Sequence, residues 1–362
     1  MRNIDFTKLT KHNIRVLQPY QAKEIPCKAK LDANESPYSI ERPQDILSAK
    51  ALKTLNRYPD PEAKELKSTI AKNFKVGSAN ILLGNGSDEL IYYLTITFGG
   101  PVLYPVPTFS MYGIISQALD EMHVGIPLDR DFDLNVKEML AAVKKYAPKL
   151  IFLSSPNNPS GNCFSFEKIQ RLIEASKGIV VVDEAYQPFS KKGTFLPMLK
   201  DYENLAVLKT LSKIGYASLR VGFLLADERL ISEVNKVRLP YNLNALSQAI
   251  ALGAFKNKQL LRQKISAVIS ERERLLAEIS AVEGVKPYPS DANFILFRVD
   301  DADRVFLGLE RSGVLVRNMN SVIKNSLRVT IGTPEENALF IGALRKTMDK
   351  APKVKTAKRR QL

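Results

Sequence analysis

The sequence is poor in residue types on which several classes of protein depend. In 362 residues it has no tryptophan, two histidines (His12 and His123) and two cysteines (Cys27 and Cys163). Cysteines so few and so far apart argue against a disulfide framework and indicate a reducing compartment, so we expect a cytoplasmic protein. Without a Cys/His cluster of the usual spacing, no metal site is predicted.

Long apolar runs are also missing. The sequence has no run of eighteen apolar residues, so it predicts no membrane-spanning helix and no membrane partner. Its first seventeen residues lack the apolar core of a secretory signal.

Charge of one sign is in excess, with a formal net charge of +15. The basic residues are spread along the chain, apart from a dense run at the C-terminus, and no zinc-finger, RNP or homeodomain pattern occurs. We therefore predict no nucleic-acid partner, and we expect residues 351–362 to form a solvated, disordered tail.

Short apolar segments alternate with amphipathic ones through most of the chain up to Leu243. This alternation predicts βα units around a mainly parallel sheet, an α/β fold. The segments that we interpret as strands are PVLYPV, EMHVGIPL, PKLIFLSSP, KGIVVVDEAY, LAVLKTLS and VGFLLAD.

The pattern changes after Leu243, where two long helix-like stretches precede two strand-like segments and a last helix. This order predicts a smaller α+β domain packed on the first. We predict a large domain over residues 41–243, a small domain over 244–350, and an N-terminal arm over 1–40 that joins the small domain.

Polar residues gather where the predicted strands end. One strand runs into residues 154–161, the next into Asp183–Tyr186, a third into Thr210–Lys213, and an earlier one into the turn Gly84–Ser87. Ligands of parallel sheets bind beyond the carboxyl ends of the strands, so we expect these groups to lie on one rim.

The turn at Gly84–Ser87 suits a phosphate group. Its glycines allow close backbone approach, and the start of the following helix offers free N–H groups. A serine-capped helix after a tight turn is the alternative interpretation.

Asp183 and Lys213 carry the most specific chemistry. A carboxylate that ends so apolar a strand needs a cationic or hydrogen-bonding partner, and capping a helix is the simpler role. A lysine that forms a Schiff base with pyridoxal phosphate, with an aspartate at the pyridinium nitrogen, is a recurring pair. Arg220, seven residues after the lysine, could pair with the cofactor phosphate.

These segments resemble the signature of fold-type I pyridoxal-phosphate-dependent aminotransferases: Asn157–Gly161, Asp183–Tyr186, and Ser212-Lys213 followed by Arg220-Val221-Gly222. The similarity extends from about Leu17 to Met348. Further segments resemble the histidinol-phosphate aminotransferase family in particular: Leu17–Tyr20, Leu31–Pro37, Arg57–Asp60, GNGSDEL, Pro107–Tyr112, Tyr241-Asn242 and Arg328–Asn337.

The resemblance implies roles around pyridoxal 5'-phosphate. Lys213 would bind the cofactor covalently and shuttle the α-proton, Asp183 would pair with the pyridinium nitrogen, and Tyr186 would assist them. Asn158 and Tyr186 would hydrogen-bond the phenolic oxygen, and Phe109 would stack on the ring. The phosphate would be held by the Ser87 and Asp88 amides, Ser212, Arg220 and, from the second subunit of a homodimer, Tyr58.

The resemblance also implies a substrate site, with Arg328 pairing with a substrate carboxylate. The other residues expected to contact substrate are Tyr20, Asn34, Asn85, Tyr112, Tyr241 and Arg317. Arg317 ends one strand-like segment and Arg328 opens the next, which suits adjacent strands that share a cleft. Alternatively, Arg317 pairs with a surface carboxylate.

The implied reaction moves an amino group between L-histidinol phosphate and 2-oxoglutarate, in histidine biosynthesis. An aromatic aminotransferase or a threonine-phosphate decarboxylase on the same fold remains an alternative. A non-catalytic regulator would need a DNA-binding domain, which does not fit in the first forty residues. A nucleotide-binding protein would leave Asp183 and Lys213 unexplained.

Overall fold

A computed structural model describes residues 4–19, 25–39, 53 and 55–349. Tyr20 and the basic tail at 351–362 lie outside the described residues. The strands of the described chain are β1 (Ala29–Leu31), β2 (Ile81–Asn85), β3 (Val102–Val106), β4 (His123–Pro127), β5 (Leu150–Ser154), β6 (Ile179–Asp183), β7 (Leu205–Thr210), β8 (Val221–Ala226), β9 (Lys286–Pro287), β10 (Phe294–Arg298), β11 (Val314–Asn318) and β12 (Ser326–Thr330).

Helices lie between most of these strands. Those described are α1 (Phe6–Leu9), α2 (His12–Arg15), α3 (Lys64–Phe74), α4 (Ser87–Phe98), α5 (Met111–Ala118), α6 (Val136–Tyr146), α7 (Phe166–Ala175), α8 (Glu228–Asn235), α9 (Ala245–Lys256), α10 (Lys258–Ser280), α11 (Ala302–Arg311) and α12 (Pro334–Asp349). None of these helices is long and apolar enough to cross a membrane.

The larger sheet has seven strands in the order β2-β8-β7-β6-β5-β3-β4. Only β8 runs antiparallel to its neighbours β2 and β7, and the other pairs are parallel. The prediction of an α/β fold with a mainly parallel sheet is therefore confirmed. The ends of β2, β5, β6 and β7 consequently open onto one edge, as expected from the sequence.

Both faces of this sheet are covered, which explains why its strands are almost entirely apolar. On β6 and β7, Val181 and Leu208 face a cluster that includes α4, α5 and α8. Val182 and Val207 face the opposite cluster, which includes α6 and α7. This alternation of faces determines where the polar residues at the strand ends point.

The smaller sheet has the order β1-β11-β12-β10-β9. Strand β1 pairs in parallel with β11, so residues 29–31 of the N-terminal segment belong to this sheet. The preceding helix α2 instead contacts the larger unit, because Asn13 Nδ2 donates to the carbonyl oxygens of Gln117 and Ala118. The N-terminal segment thus contacts both units, and the division of the chain at residues 40 and 243 stays a prediction.

Candidate active site

Asp183 is the last residue of β6, and only 4% of it is exposed. Its carboxylate accepts hydrogen bonds from the Tyr112 hydroxyl (2.8 Å) and the Ala185 N–H (3.0 Å). Among the described residues it forms no ion pair. Burial, which disfavours the charged form, raises the pKa of Asp183 to about 6. The carboxylate is therefore ready to accept a cationic N–H group.

Tyr112 is fully buried behind this carboxylate. Its ring stacks on Phe152 with centroids 4.9 Å apart, and its hydroxyl donates to Asp183. Burial and the neighbouring carboxylate raise the pKa of Tyr112 well above its usual range, so the hydroxyl keeps its proton and remains a donor. From the sequence we expected Tyr112 to contact substrate, and that role stays a prediction; in the structure its hydroxyl lies on the Asp183 carboxylate.

Lys213 lies in a tight helical turn, Ser212–Tyr216, that follows β7. Its Nζ lies 5.8 Å from the centroid of the Tyr186 ring, and the side chain is half-buried. Gly215 has a φ of +104°, a conformation that side-chain-bearing residues rarely adopt. The turn thus places the lysine amine near the Tyr186 ring, two residues beyond Glu184.

Asn158 and Tyr186 each accept one hydrogen bond from another side chain. The Tyr186 hydroxyl accepts from Asn34 Nδ2 at 2.9 Å, and Asn158 Oδ1 accepts from Arg328 Nη1 at 2.5 Å. Among the described residues no acceptor is found for the Tyr186 hydroxyl proton or the Asn158 amide hydrogens, so both groups can donate. Such donors suit an anionic oxygen, such as the phenolic oxygen expected from the sequence. Asn34 is buried, so its contact with Tyr186 supports the site from behind.

The turn before α4 lies against Arg220. Gly86 has a φ of +84°, and a Cβ there would collide with the Arg220 guanidinium. Gly222, on β8, passes so close that its Cβ would lie 2.5 Å from the Ser87 amide nitrogen. The Arg220 guanidinium can approach Gly86, and β8 can approach the Ser87 amide, only because Gly86 and Gly222 have no side chain.

Arg220 faces the free N–H groups at the start of α4. Its Nη1 donates to Ser212 Oγ (3.1 Å), and its Nη2 pairs with Asp88 Oδ2 (3.2 Å). With Ser87 as the first residue of α4, the turn presents backbone N–H groups, a hydroxyl and a guanidinium. This donor set suits a phosphate, as predicted.

Phe109 lies at the opposite side of the site, after β3, and is half-buried. Its ring meets the Tyr112 ring edge-on, with centroids 5.6 Å apart. Through Tyr112 it is therefore one contact away from Asp183, which suits the predicted stacking role.

Arg328 enters the site from the smaller sheet. It is 7% exposed, donates through Nη2 to the Asp32 carbonyl oxygen (2.8 Å), and places its guanidinium carbon 5.1 Å from the Phe294 ring centroid. Arg317 lies opposite it on β11 and is exposed. The two cations thus share a face of the small sheet, as the spacing predicted.

Three other predicted residues lie at or near the surface. Tyr58 and Tyr241 stack with centroids 4.4 Å apart and are 79% and 40% exposed. Neither ring contacts another aromatic ring in the described chain. Asn85, also exposed, ends β2 beside the phosphate-binding turn, and its N–H donates to Glu89 Oε2 at 2.6 Å.

A buried ion pair beside Asp183 was not predicted from the sequence. Lys209 Nζ lies 2.6 Å from Glu184 Oε2, and the two side chains are 8% and 1% exposed. A usable signal was present, because a lysine inside the apolar run of β7 needs an anionic partner. Glu184, adjacent to Asp183, was the nearest candidate in the neighbouring motif.

The arrangement fits pyridoxal phosphate. The buried Asp183 carboxylate can pair with a cationic ring nitrogen, the Asn158 amide and the Tyr186 hydroxyl can donate hydrogen bonds, and a glycine-shaped turn with Arg220 can hold a phosphate. The Lys213 amine lies 5.8 Å from the centroid of the Tyr186 ring. Bound there, the cofactor would leave each of them paired.

Comparisons with known proteins agree with this geometry. The family model described as "Aminotransferase class I and II" matches residues 20–344. A histidinol-phosphate aminotransferase of Caldanaerobacter subterraneus subsp. tengcongensis is 40% identical, over 94% of this chain and 99% of its own. That of Aquifex aeolicus is 43% identical, over 92% and 97%.

A solved structure shows the same fold. Histidinol-phosphate aminotransferase from Sinorhizobium meliloti, in complex with pyridoxal-5'-phosphate, has a TM-score of 0.85 and 22% identity, and covers 94% of this chain and 97% of its own. The chain therefore belongs to the class I and II aminotransferase family, whose members use pyridoxal phosphate, and within it to the histidinol-phosphate aminotransferases.

Proposed function

We propose that the protein transfers the amino group of L-histidinol phosphate to 2-oxoglutarate, giving imidazole acetol phosphate and L-glutamate, in histidine biosynthesis. The observation that carries the proposal is a set of residues suited to the cofactor together with two arginines of unequal burial on one sheet face. The identity of 40% or more to histidinol-phosphate aminotransferases supports the amino donor.

Pyridoxal phosphate, when bound, supplies the electron sink for the carbanion that forms as the donor loses its α-proton. Lys213 Nζ would hold the cofactor covalently between turnovers and would then carry the proton at the α-carbon. Asp183 would keep a proton on the ring nitrogen, and the Tyr112 hydroxyl holds its carboxylate by a hydrogen bond. The Asn158 amide and the Tyr186 hydroxyl would donate to the phenolic oxygen.

Binding of the substrates divides between the two arginines. Histidinol phosphate has no carboxylate, so Arg328 serves glutamate and 2-oxoglutarate through a charge-assisted hydrogen bond. Arg317 binds the donor's phosphate and, in the other half-reaction, the distal carboxylate. The Ser87 and Asp88 N–H groups, Ser212 and Arg220 would hold the cofactor phosphate.

A panel of amino donors with 2-oxoglutarate as acceptor tests this function. We expect kcat/KM to be highest for histidinol phosphate, and purified protein to show the visible absorbance of lysine-bound pyridoxal phosphate. Higher kcat/KM with phenylalanine or tyrosine would make the protein an aromatic aminotransferase. Release of carbon dioxide from threonine phosphate would make it a decarboxylase.

We also propose that the protein is a homodimer in which Tyr58 reaches the cofactor phosphate of the partner subunit. Apolar side chains support an interface: Leu239 is 63% exposed, and Tyr92 and Ile96, one turn apart on α4, are 40% and 45% exposed. Sedimentation velocity should give twice the chain mass for the wild-type protein. The Ile96→Asp variant should sediment with the mass of a single chain. A monomeric wild-type protein would contradict the proposal.

A cytoplasmic location is proposed as well. Cys27 and Cys163 form no disulfide, which suits a reducing compartment. Activity in the periplasmic or secreted fraction of cells, with none in the cytosol, would contradict it.

A further inference from the structure

The Glu184–Lys209 ion pair is buried at the end of the larger sheet, on the face away from Asp183. Successive residues of a strand point to opposite faces. Asp183 therefore projects with Val181 and Leu208 toward Tyr112, whereas Glu184 and Lys209 project to the side of Val182 and Val207. The pair lies beneath the site and does not line it.

The contacts of Glu184 are fully satisfied and come from three segments. Its carboxylate accepts from Lys209 Nζ (2.6 Å), Thr194 Oγ1 (2.6 Å) and the Phe195 N–H (2.6 Å), and its own N–H donates to the Leu208 carbonyl oxygen (2.8 Å). The carboxylate thus joins the ends of β6 and β7 to the loop around residue 194.

Lys209 is held as firmly. Besides Glu184, its Nζ lies 3.4 Å from Gln187 Oε1 and 5.6 Å from the centroid of the Phe74 ring. Gln187 directly follows Tyr186, and its N–H donates to the Glu184 carbonyl oxygen at 3.1 Å. The ammonium therefore also fixes the turn that carries Tyr186.

The pair is adjacent in sequence to every residue assigned to catalysis. Asp183 precedes Glu184 by one residue and Tyr186 follows it by two, while Lys213 follows Lys209 by four. Between Lys209 and Lys213, the Thr210 hydroxyl donates to Ser212 Oγ (2.9 Å) and accepts from the Ser212 N–H (3.1 Å). This short, hydrogen-bonded stretch links Lys209 to the turn that carries Lys213.

Burying two charges does not by itself favour the folded state, because desolvation offsets most of their attraction. An apolar pair of similar volume could fill the same space. What the ion pair adds is a fixed geometry between two strand ends, which apolar packing specifies less sharply.

We propose that Glu184 and Lys209 are positioning residues, which set the distance between Asp183 and Lys213 from the far face of the sheet. This inference rests on the proposed transamination. Misplacing a catalytic group by about 1 Å can cost about a hundredfold in rate, so a weakened pair should lower kcat and leave KM nearly unchanged.

The test compares Glu184→Gln, Lys209→Met and the double variant as holoenzymes. We expect each to lower kcat about ten- to a hundredfold, with KM within threefold of wild type. The pH midpoint of the visible absorbance band should shift, because it reports the surroundings of Lys213 and Asp183. Amides of residues 184–187 should also exchange faster with deuterium. Lys209→Arg, which preserves the pair, should retain most of kcat.

The matched control is the exposed Lys236–Glu233 pair at the C-terminal end of α8, at 2.7 Å. Glu233→Gln and Lys236→Met should leave kcat, the absorbance midpoint and amide exchange unchanged. The positioning role is refuted if Glu184→Gln and Lys209→Met lower only the melting temperature. In that case kcat stays within twofold of wild type, and the absorbance midpoint stays within roughly 0.2 pH units.

The proposal can be tested even if one of the single variants does not fold. Should a single variant fail to fold, the double variant, which buries no unpaired charge, decides by its kcat and absorbance midpoint. Failure of the proposed function would appear differently, as a wild-type protein without the visible band or without transamination.

Discussion

Arg317 and Arg328 lie directly opposite each other on the antiparallel strands β11 and β12. Residues so paired project from the same face of a sheet. Arg328 is 7% exposed and held by Asn158 and the Asp32 carbonyl, whereas Arg317 is exposed. The proposed substrate site would thus have two cations of unequal burial on one face.

The arginines should therefore differ in the two half-reactions. Arg328→Ala should slow the glutamate half-reaction about ten- to a hundredfold, and the histidinol-phosphate half-reaction less, because only glutamate offers a carboxylate to a charge-assisted pair. Arg317→Ala should slow both. Stopped-flow spectra of each half-reaction measure the split.

Arg229→Ala is the control, because Arg229 is an exposed arginine of the larger unit that pairs with Glu203 and Asp227 of the same unit. It should leave both half-reactions unchanged. If Arg317→Ala and Arg328→Ala both lower the rates of the two half-reactions equally and only slightly, other residues bind the charged groups of the substrate.

Removing the Tyr112 hydroxyl should affect chemistry rather than substrate binding. Tyr112→Phe deletes the 2.8 Å hydrogen bond to Asp183 and leaves the buried ring in place. Losing a hydrogen bond to a charged group costs about 1.5–3 kcal/mol, so kcat should fall about tenfold or more. Steady-state kinetics should show an unchanged KM for histidinol phosphate.

The opposite result would support the role predicted from the sequence, in which Tyr112 contacts substrate. A higher KM for histidinol phosphate at unchanged kcat would place the Tyr112 hydroxyl on the substrate. Tyr104→Phe is the matched control, because Tyr104 hydrogen-bonds His123 and not Asp183.

Replacing the Asp183 carboxylate should slow both half-reactions. Asp183→Asn keeps the shape but cannot hold the proton on the ring nitrogen, so the rate should fall at least about a hundredfold, or about 3 kcal/mol. Single-turnover kinetics measure the effect. A variant near the wild-type rate would leave Asp183 with a structural role only.

Asp183 should also make the cofactor-free protein less stable as the pH rises. Its pKa is raised from 3.8 to about 6, so the folded state binds more protons than the unfolded state between these values. The free energy of unfolding should then fall by about 3 kcal/mol in all as the pH rises past both values, with about 2 kcal/mol of that fall between pH 4 and pH 6. Asp183→Asn should match wild type near pH 4 and exceed it above pH 6 in urea denaturation.

Asp227→Asn provides a control of opposite sign. Hydrogen bonds from Arg229 lower the pKa of Asp227, so this carboxylate stabilises the protein above its ordinary pKa, and its loss should appear as the pH rises. A difference between Asp183→Asn and wild type that does not change with pH would refute the burial argument.

Lys213 should be indispensable for turnover. Lys213→Ala removes the amine that binds the cofactor and moves the α-proton, so transamination should fall below detection and the visible band should change, even if the cofactor stays bound. Lys191→Ala, at an exposed lysine, should leave both unchanged. Transamination by Lys213→Ala at the wild-type rate would overturn the assignment.

Much of the site could be predicted because its residues directly follow apolar strands. The run Gly178–Val182 predicts a buried strand, and a strand in a parallel sheet must deliver Asp183 to the same edge as Lys213. The opposition of Arg317 and Arg328 was also readable, since eleven residues suit two short strands and a turn.

Contacts between distant segments could not be read in this way. Tyr112 begins an ordinary amphipathic helix, and only the packing of α5 under β6 brings its hydroxyl to Asp183. Likewise, nothing local pairs Asn34 with Tyr186, or Tyr58 with Tyr241, because each pair joins segments more than 150 residues apart.

The sequence by itself determined the order of strands and helices, the polar strand ends and the chemistry that these groups can perform. Only the tertiary structure decided which side chains support that chemistry: the Tyr112 hydroxyl behind Asp183, and the Glu184–Lys209 pair beneath it. The physical reason is that hydrophobic periodicity is a local property of the chain, whereas the partner of a buried polar group is chosen by packing between distant segments.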